Sequence, residues 1–269
     1  MQTLSAVLHQ GDQDPALQEI ILALASAGER ISAKLRLGAL ASILGDAKKV
    51  NVQGEQQKKL DIIANQIVID KLSSLKAVAG MASEEEEQFI TGHPEGRYLV
   101  MFDPLDGSSN IDIDISVGTI FSLFMKPRDE DLQEKHFLQP GNKQVAAGYI
   151  LYGPQTLLVM TFGQEVLFFT LDHKGEFRQQ TSPPSLVQET QEFAINMSNQ
   201  RFWPKEIQKY ITFLLQGKEG PRGKDYNMRW VASMVAEIHR ILLRGGVFIY
   251  PQDSRSAYQH GNCLLYTSP

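Results

Sequence analysis

Cysteine is almost missing: Cys263 stands alone among 269 residues. A single thiol excludes an intrachain disulfide and a paired-thiolate zinc site, and it fits a reducing compartment. No Lys/Arg-rich block stands out, and a net charge of −5 takes away the sequence-independent pull toward nucleic-acid phosphates. No segment approaches the roughly 20 apolar residues that a membrane helix needs. The amino-terminal stretch MQTLSAVLHQGDQDP has no basic head followed by an apolar run. The chain therefore reads as a soluble, cytoplasmic protein with neither nucleic acid nor membrane as partner. Histidine is also sparse, with six residues at 9, 93, 136, 173, 239 and 260 and no pair at metal-ligand spacing. His239, inside a helical stretch, reads as a packed or capping residue.

What is present is a composition ordinary for a globular protein, 42% hydrophobic and 21% charged, on a length that permits one large domain or two lobes. Apolar residues from Leu17 to Leu40, within Pro15–Leu44, recur at helical spacing and predict one or two amphipathic helices interrupted by Gly28 and Gly38. A second helical stretch covers about Lys58 to Leu75, and the short run Ala77–Ala82 reads as a strand. The middle of the chain then changes character. RYLVMFD, ISVGTIFSLFM, VAAGYILYG, LLVMTF and EVLFFTL are short, aromatic-rich and β-branched, which predicts sheet strands. Helical spacing returns over Pro204–Leu215 and Met228–Leu243, and GGVFIYP adds a strand. Phe202, Trp203 and Pro204 before the first of these helices read as a staple into the core. Such an order predicts layers of α and β, as two closely packed lobes spanning 1–185 and 186–269.

Three acidic islands carry the chemistry: Asp61 in KKLD, the run SEEEE at 83–87, and Asp103 with Asp106 in FDPLDGSS at 102–109. Alone, Asp61 is a good helix-start residue, and a glutamate run is commonly a solvated face. The third island follows the apolar strand Tyr98–Phe102, which delivers Asp103 to a strand's carboxyl end, where ligand sites of open α/β sheets gather. Oxygen ligands without His or Cys suit Mg²⁺ or Mn²⁺. Gly107 lets a ligand approach the main chain, and the amides of Gly107, Ser108 and Ser109 form a nest for a phosphate. Carboxylates for a metal followed by a phosphate cradle describe phosphoryl transfer. Magnitude supports the metal: phosphate-monoester hydrolysis is accelerated by up to about 10²¹, or about 28 kcal/mol. One hydrogen-bond donor contributes about 3 to 4 kcal/mol, whereas metal ions activate water and neutralise both attacking and leaving oxygens. Ser108 and Ser109 have no nearby His and need not act as nucleophiles. Asp112 and Asp114 alternate as in a half-exposed strand, and Lys58 and Lys59 either neutralise phosphate or face solvent.

At FDPLDGSSNIDIDISVGTIFS the chain resembles class 1 fructose-1,6-bisphosphatase, within the sugar and inositol phosphatase superfamily. The likeness extends to NVQGEQQKKLD at 51–61, ASEEEE at 82–87, FLQPGNKQVAAGYILYG at 137–153 and RWVASMVAEIHRILLRGGVFIYP at 229–251. It implies an αβαβα sandwich and a phosphoric monoester hydrolase of gluconeogenesis or sugar-phosphate cycling, with Mg²⁺ as cofactor and Mn²⁺ as its alternative. Carried over by position, Glu84, Asp103, Asp106 and the Leu105 carbonyl are metal ligands. Asp61 and Glu85 orient and deprotonate the attacking water, and Asp106, Gly107, Ser108 and Ser109 hold the reacting phosphate. Asn196, Arg229, Trp230 and the segment Phe248, Ile249 and Tyr250 surround the sugar and its 6-phosphate. In the family the arginine reaches in from a neighbouring subunit, which implies a homo-oligomer, usually a tetramer.

Departures from the family pattern qualify these expectations. Trp230 and Asn199 stand where the family has tyrosines, which admits sedoheptulose 1,7-bisphosphate as an alternative substrate. Asp14-Pro15-Ala16-Leu17-Gln18 replaces the family's Thr-Gly-Glu-Leu-Thr in the AMP pocket, and Met125 replaces an arginine there although Arg97 and Tyr98 match, which argues against AMP inhibition. Gly261 and Thr267 stand in the places of a sugar-binding lysine and a metal-binding glutamate. The expectation is a carboxy-terminally truncated or altered chain with an incomplete fold, and as a further alternative a weakened phosphate-binding homologue.

Overall fold

The computed structural model describes residues 1–41, 46–50, 56–128, 130–181 and 189–254. The expectations at Leu44, across 51–55 and in the tail, including His260, Gly261, Cys263 and Thr267, lie outside the described residues. Two compact units part near residue 183.

In chain order the first unit contains α1 (Leu4–Gln10), α2 (Pro15–Leu35), β1 (Asp46–Val50), β2 (Gln56–Lys58), α3 (Lys59–Ser73), β3 (Val78–Ser83), β4 (Ile90–Thr91), β5 (Tyr98–Asp106), β6 (Val117–Met125), β7 (Ala146–Tyr152), β8 (Thr156–Thr161), β9 (Val166–Leu171) and β10 (Phe177–Gln179). Eight of these strands form one sheet in the order β10-β9-β8-β7-β6-β5-β3-β4. All its pairings are antiparallel except β3 with β5. The strand β5 reads as unbroken apolar because both its faces are covered. Tyr98, Val100 and Phe102 pack with the helical residues Ile20, Ile21, Leu24, Leu60 and Val68. Leu99 and Met101 point the other way, against Phe124 and Phe137. The helix α2 starts at Asp14, whose Oδ1 accepts the Ala16 amide at 2.9 Å while Pro15 sits where no amide is needed. Asp14 Oδ2 also accepts Arg97 Nη2 at 2.6 Å and the Tyr98 hydroxyl at 2.9 Å. Burial, then Asp14, pushes the Tyr98 phenol up to about 12.

Gly28 does not interrupt α2, which runs unbroken for 21 residues. Its role is close approach: a Cβ on this buried glycine would meet Ile150 Cδ1 of β7 at 2.3 Å. The alternation at Asp112 and Asp114 is not a strand either. Ser108–Ile113 form a short 3₁₀ helix, and Asp114 closes it with a left-handed φ of 61°. Apparent period-two spacing here is a by-product of a turn rich in Asx residues.

The second unit contains β11 (Glu192–Ala194), α4 (Lys205–Leu215), β12 (Asn227–Met228), α5 (Met234–Arg244) and β13 (Val247–Phe248). Its three short strands are parallel, in the order β12-β11-β13. Phe193, Ile195, Trp203, Ile211 and Leu214 form its core, so Trp203 is indeed buried ahead of α4. The helix predicted from Met228 begins only at Met234. Asn227 and Met228 pair with β11, Ala232 takes a left-handed φ of 60°, and the Ser233 hydroxyl caps the Ala236 amide. Apolar spacing over 228–233 belongs to chain that enters the helix, not to the helix itself.

Gly28→Ala should lower stability even though alanine is the better helix former by about 1 kcal/mol, because overpacking costs about 1 to 3 kcal/mol. Thermal unfolding of Gly28→Ala, Ile150→Val and the double variant checks this. Removing Cδ1 should make the alanine better tolerated, and strictly additive effects would contradict the close packing.

Candidate active site

Parallel pairing of β3 with β5 builds the site. Ser83 lies opposite Phe102, so the residues that follow, Glu84 and Asp103, come side by side where β3 ends, while β5 runs on to Asp106 against β6. The Glu84 amide extends the ladder by donating to the Phe102 carbonyl at 3.1 Å. Between Asp103 and Asp106 the pairing of β5 with β6 slips, from Asp103 opposite Ile120 to Asp106 opposite Gly118. That irregularity turns Pro104 and Leu105 out of register and lets both carboxylates serve one place. Asp103 Oδ1 accepts the Leu105 amide at 2.9 Å, and the Thr119 hydroxyl donates to the Pro104 carbonyl at 2.9 Å. Gly107 then adopts φ 77°, a left-handed conformation, and starts the 3₁₀ helix whose first residues are Ser108 and Ser109.

Electrostatics mark the spot. Asp103, Asp106 and Asp61 are all buried. Burial first, then the Glu84 charge and a hydrogen bond shared with Glu84, then Asp106, push the Asp103 carboxyl well above the usual carboxylate range. The Leu105 amide pulls the other way. Carboxylates so placed are short of positive charge, and their oxygen donors fit a divalent cation, which would take the place of the shared proton. Among the described residues no three His, Cys, Asp or Glu side chains already surround one point as a finished cage. Glu84 and Asp103 share a side-chain hydrogen bond, and the Asp106 charge acts on the same Asp103 carboxyl.

Asp61 enters from α3. Its Oδ2 accepts the Lys58 amide at 2.6 Å, which makes it a helix-start residue as well as an acid. One turn along the same face, Asn65 accepts the Ser83 hydroxyl at 2.7 Å and donates to Glu86 Oε1 at 2.7 Å. Ser83 Oγ in turn accepts the Glu85 amide at 3.2 Å. The four glutamates thus divide: Glu84 and Glu85 are half-buried, whereas Glu86 and Glu87 are exposed. Lys58, the last residue of β2, pairs with Asp112 at 2.8 Å, which ties the start of α3 to the 3₁₀ helix. Sequence reasoning missed Asn65, Thr119 and Tyr152, because isolated hydroxyls and amides inside apolar segments carry no motif, and it quoted Ser83 in SEEEE without a role for its hydroxyl.

In the second unit, Asn196, Ile249 and Tyr250 line one small pocket with Asn199 and Trp203. Asn196 Oδ1 caps the turn Met197–Phe202 through the Ser198 amide at 3.1 Å. Trp230, Phe248 and Tyr250 form a stack, with centroids 6.0 and 6.3 Å apart and planes tilted by 7° and 10°. Arg229 donates its amide to the Phe193 carbonyl at 2.8 Å and holds its guanidinium 3.7 Å from Glu192.

Comparison with known proteins adds independent findings. Residues 3–182 match the family model described as fructose-1-6-bisphosphatase, N-terminal domain, and 186–267 match its C-terminal domain. The fructose-1,6-bisphosphatase class 1 of Neisseria meningitidis is 58% identical over 258 residues, covering 96% of this chain and 79% of that protein. The enzyme of that name from Shewanella amazonensis is 52% identical, covering 95% of this chain and 80% of its own length. A crystal structure of Leishmania major fructose-1,6-bisphosphatase in holo form superposes with a TM-score of 0.87 at 34% identity, over 94% of this chain and 79% of that one. Layered α/β architecture with a mixed sheet is therefore the fold, as the resemblance implied.

Because the proton on Asp103 is held more tightly in the folded chain, the stability it contributes is present at acidic pH, below the ordinary value of 3.8, and is lost as pH rises through the raised folded value. With chelator present, the melting temperature should fall as pH is raised from 4 toward 8, and Asp103→Asn should flatten that slope. An unchanged slope in the variant would contradict the assignment.

Proposed function

Since the chain belongs to the fructose-1,6-bisphosphatase family, we propose that it hydrolyses the 1-phosphate of fructose 1,6-bisphosphate to fructose 6-phosphate and phosphate. Membership implies a divalent metal cofactor; Mg²⁺ is our assignment, with Mn²⁺ able to replace it. The observation that carries the reading is the group of half-buried Glu84 with buried Asp103 and Asp106 where β3 ends beside β5, followed at once by the left-handed turn at Gly107. A bound divalent metal supplies charge neutralisation at the phosphate oxygens and an acidified water.

In this reading Glu84, Asp103, Asp106 and the Leu105 carbonyl hold the metal. Gly107, Ser108 and Ser109 bind the phosphate oxygens through their amides, at a strand-to-helix turn where amides lack helical partners. Glu85 takes the proton of the attacking water, and Asp61, fixed by the Lys58 amide, orients that water. The first lobe, 1–185, handles the reacting phosphate. The second, 186–269, binds sugar and 6-phosphate through Asn196, Arg229, Trp230, Phe248, Ile249 and Tyr250. A homotetramer in the cytoplasm completes the proposal; among the described residues no helix is long and apolar enough to cross a membrane. Sedoheptulose 1,7-bisphosphate is a second substrate reading, favoured by Trp230, whose indole stacks on Phe248 where the family carries a phenol.

Phosphate release from fructose 1,6-bisphosphate, sedoheptulose 1,7-bisphosphate and inositol monophosphate tests both. Release from the first should require Mg²⁺ and fall by at least about 10²-fold in Glu85→Gln, in line with the loss of a proton-transfer group. Activity on inositol monophosphate alone would defeat the substrate assignment.

A further inference from the structure

Thr119 and Tyr152 are buried residues that the mechanism above does not use; Thr119 lies on β6 beside the bulge of β5, and Tyr152 on β7, the next strand. Thr119 Oγ1 donates to the Pro104 carbonyl at 2.9 Å and lies 2.7 Å from the Tyr152 hydroxyl. A hydroxyl has one proton, so with Thr119 donating to Pro104 the phenol of Tyr152 donates to Thr119. The Pro104 carbonyl and the Leu105 amide belong to one planar peptide unit. Its oxygen end is held by Thr119 and its nitrogen end by Asp103 Oδ1 at 2.9 Å. Rotation of that plane would break both bonds together and release the Asp103 carboxylate from its anchor.

We infer that Thr119, steadied by Tyr152, is a positioning residue for the metal: through the Pro104–Leu105 peptide it holds Asp103 in the rotamer that presents its second oxygen toward Glu84. Register supports the assignment. Thr119 lies on β6 between Ile120 and Gly118, the partners of Asp103 and Asp106, so it is the residue opposite the irregular segment. Tyr152 reaches it diagonally from β7, where it pairs with Val117. Burial pushes the phenol above its ordinary value while the bond to Thr119 pulls it down; the donor direction follows from Thr119 giving its own proton to Pro104.

The inference rests on the metal-site reading, and the test separates the two. Mn²⁺ binding to the full chain, followed by electron paramagnetic resonance without substrate, is compared for the parent, Thr119→Val, Thr119→Ser and Tyr152→Phe, with melting temperatures measured under chelator. Thr119→Val should bind Mn²⁺ about 10-fold or more weakly, the size seen when groups behind metal ligands are removed. Thr119→Ser should restore affinity to near the parent's, and Tyr152→Phe should fall between. A parent that binds no Mn²⁺ overturns the metal-site reading and the inference with it. A folded Thr119→Val with parental affinity overturns the inference alone, as does a Thr119→Ser that binds as weakly as Thr119→Val. Should Thr119→Val fail to fold, Tyr152→Phe decides: weakened binding supports the inference and unchanged binding overturns it.

Discussion

Pairing Ser83 with Phe102 in parallel brings Glu84 and Asp103 side by side where β3 ends, and burial then sets two like charges against each other. Every other device in the first unit answers that arrangement. The bulge in β5 brings Asp106 to the same place, the Leu105 amide partly offsets the negative charge, and α3 closes over the top with Asp61 and Asn65. An antiparallel neighbour in the position of β3 would have sent its final carboxylate to the opposite end of the sheet. The one parallel contact in an otherwise antiparallel sheet is therefore where charge is concentrated.

Much of this was legible beforehand, for identifiable reasons. Strands buried on both faces, such as β5, announce themselves as apolar runs, and Asp103 and Asp106 stand out because they interrupt such a run with turn residues. What failed were inferences from spacing alone. Asp112 and Asp114 alternate because a 3₁₀ turn places Asx residues there, and Arg229–Ser233 resemble a first helical turn while a left-handed Ala232 prevents it. Gly28 was legible as an exception but not as a close contact, since its reason, Ile150, lies 122 residues away in β7. The hydroxyls of Thr119 and Tyr152 were invisible for the same reason: their partners are distant in sequence and their own segments look merely apolar.

The second unit achieves order differently. Its strands are too short for a broad apolar sheet, and a charge network compensates. The fully buried Glu237 accepts the Val231 amide at 2.7 Å and Arg240 Nη2 at 2.9 Å, while Arg240 also pairs with Glu192 of β11. Removing one member of such a group strands a buried charge, at a cost of about 3 to 5 kcal/mol. Arg229 hangs from the same strand by its amide and approaches the same Glu192, so this network and the core residue Phe193 both bear on its position.

The margins of the large sheet are blunt. At one side β4 has only two residues. At the other, β10 has three, and the amino-terminal segment covers them with a bridge from Thr3 to Arg178 and a bond from the Gln179 amide to the Gln2 carbonyl at 2.9 Å. Open rows of amides and carbonyls are what recruit foreign strands. Among the described residues neither margin of this sheet offers such a row, so copies of this chain crowded together have little opportunity to zip edge to edge through it. Ordered association across this sheet has to be written in side chains, and so can be altered without unpicking it.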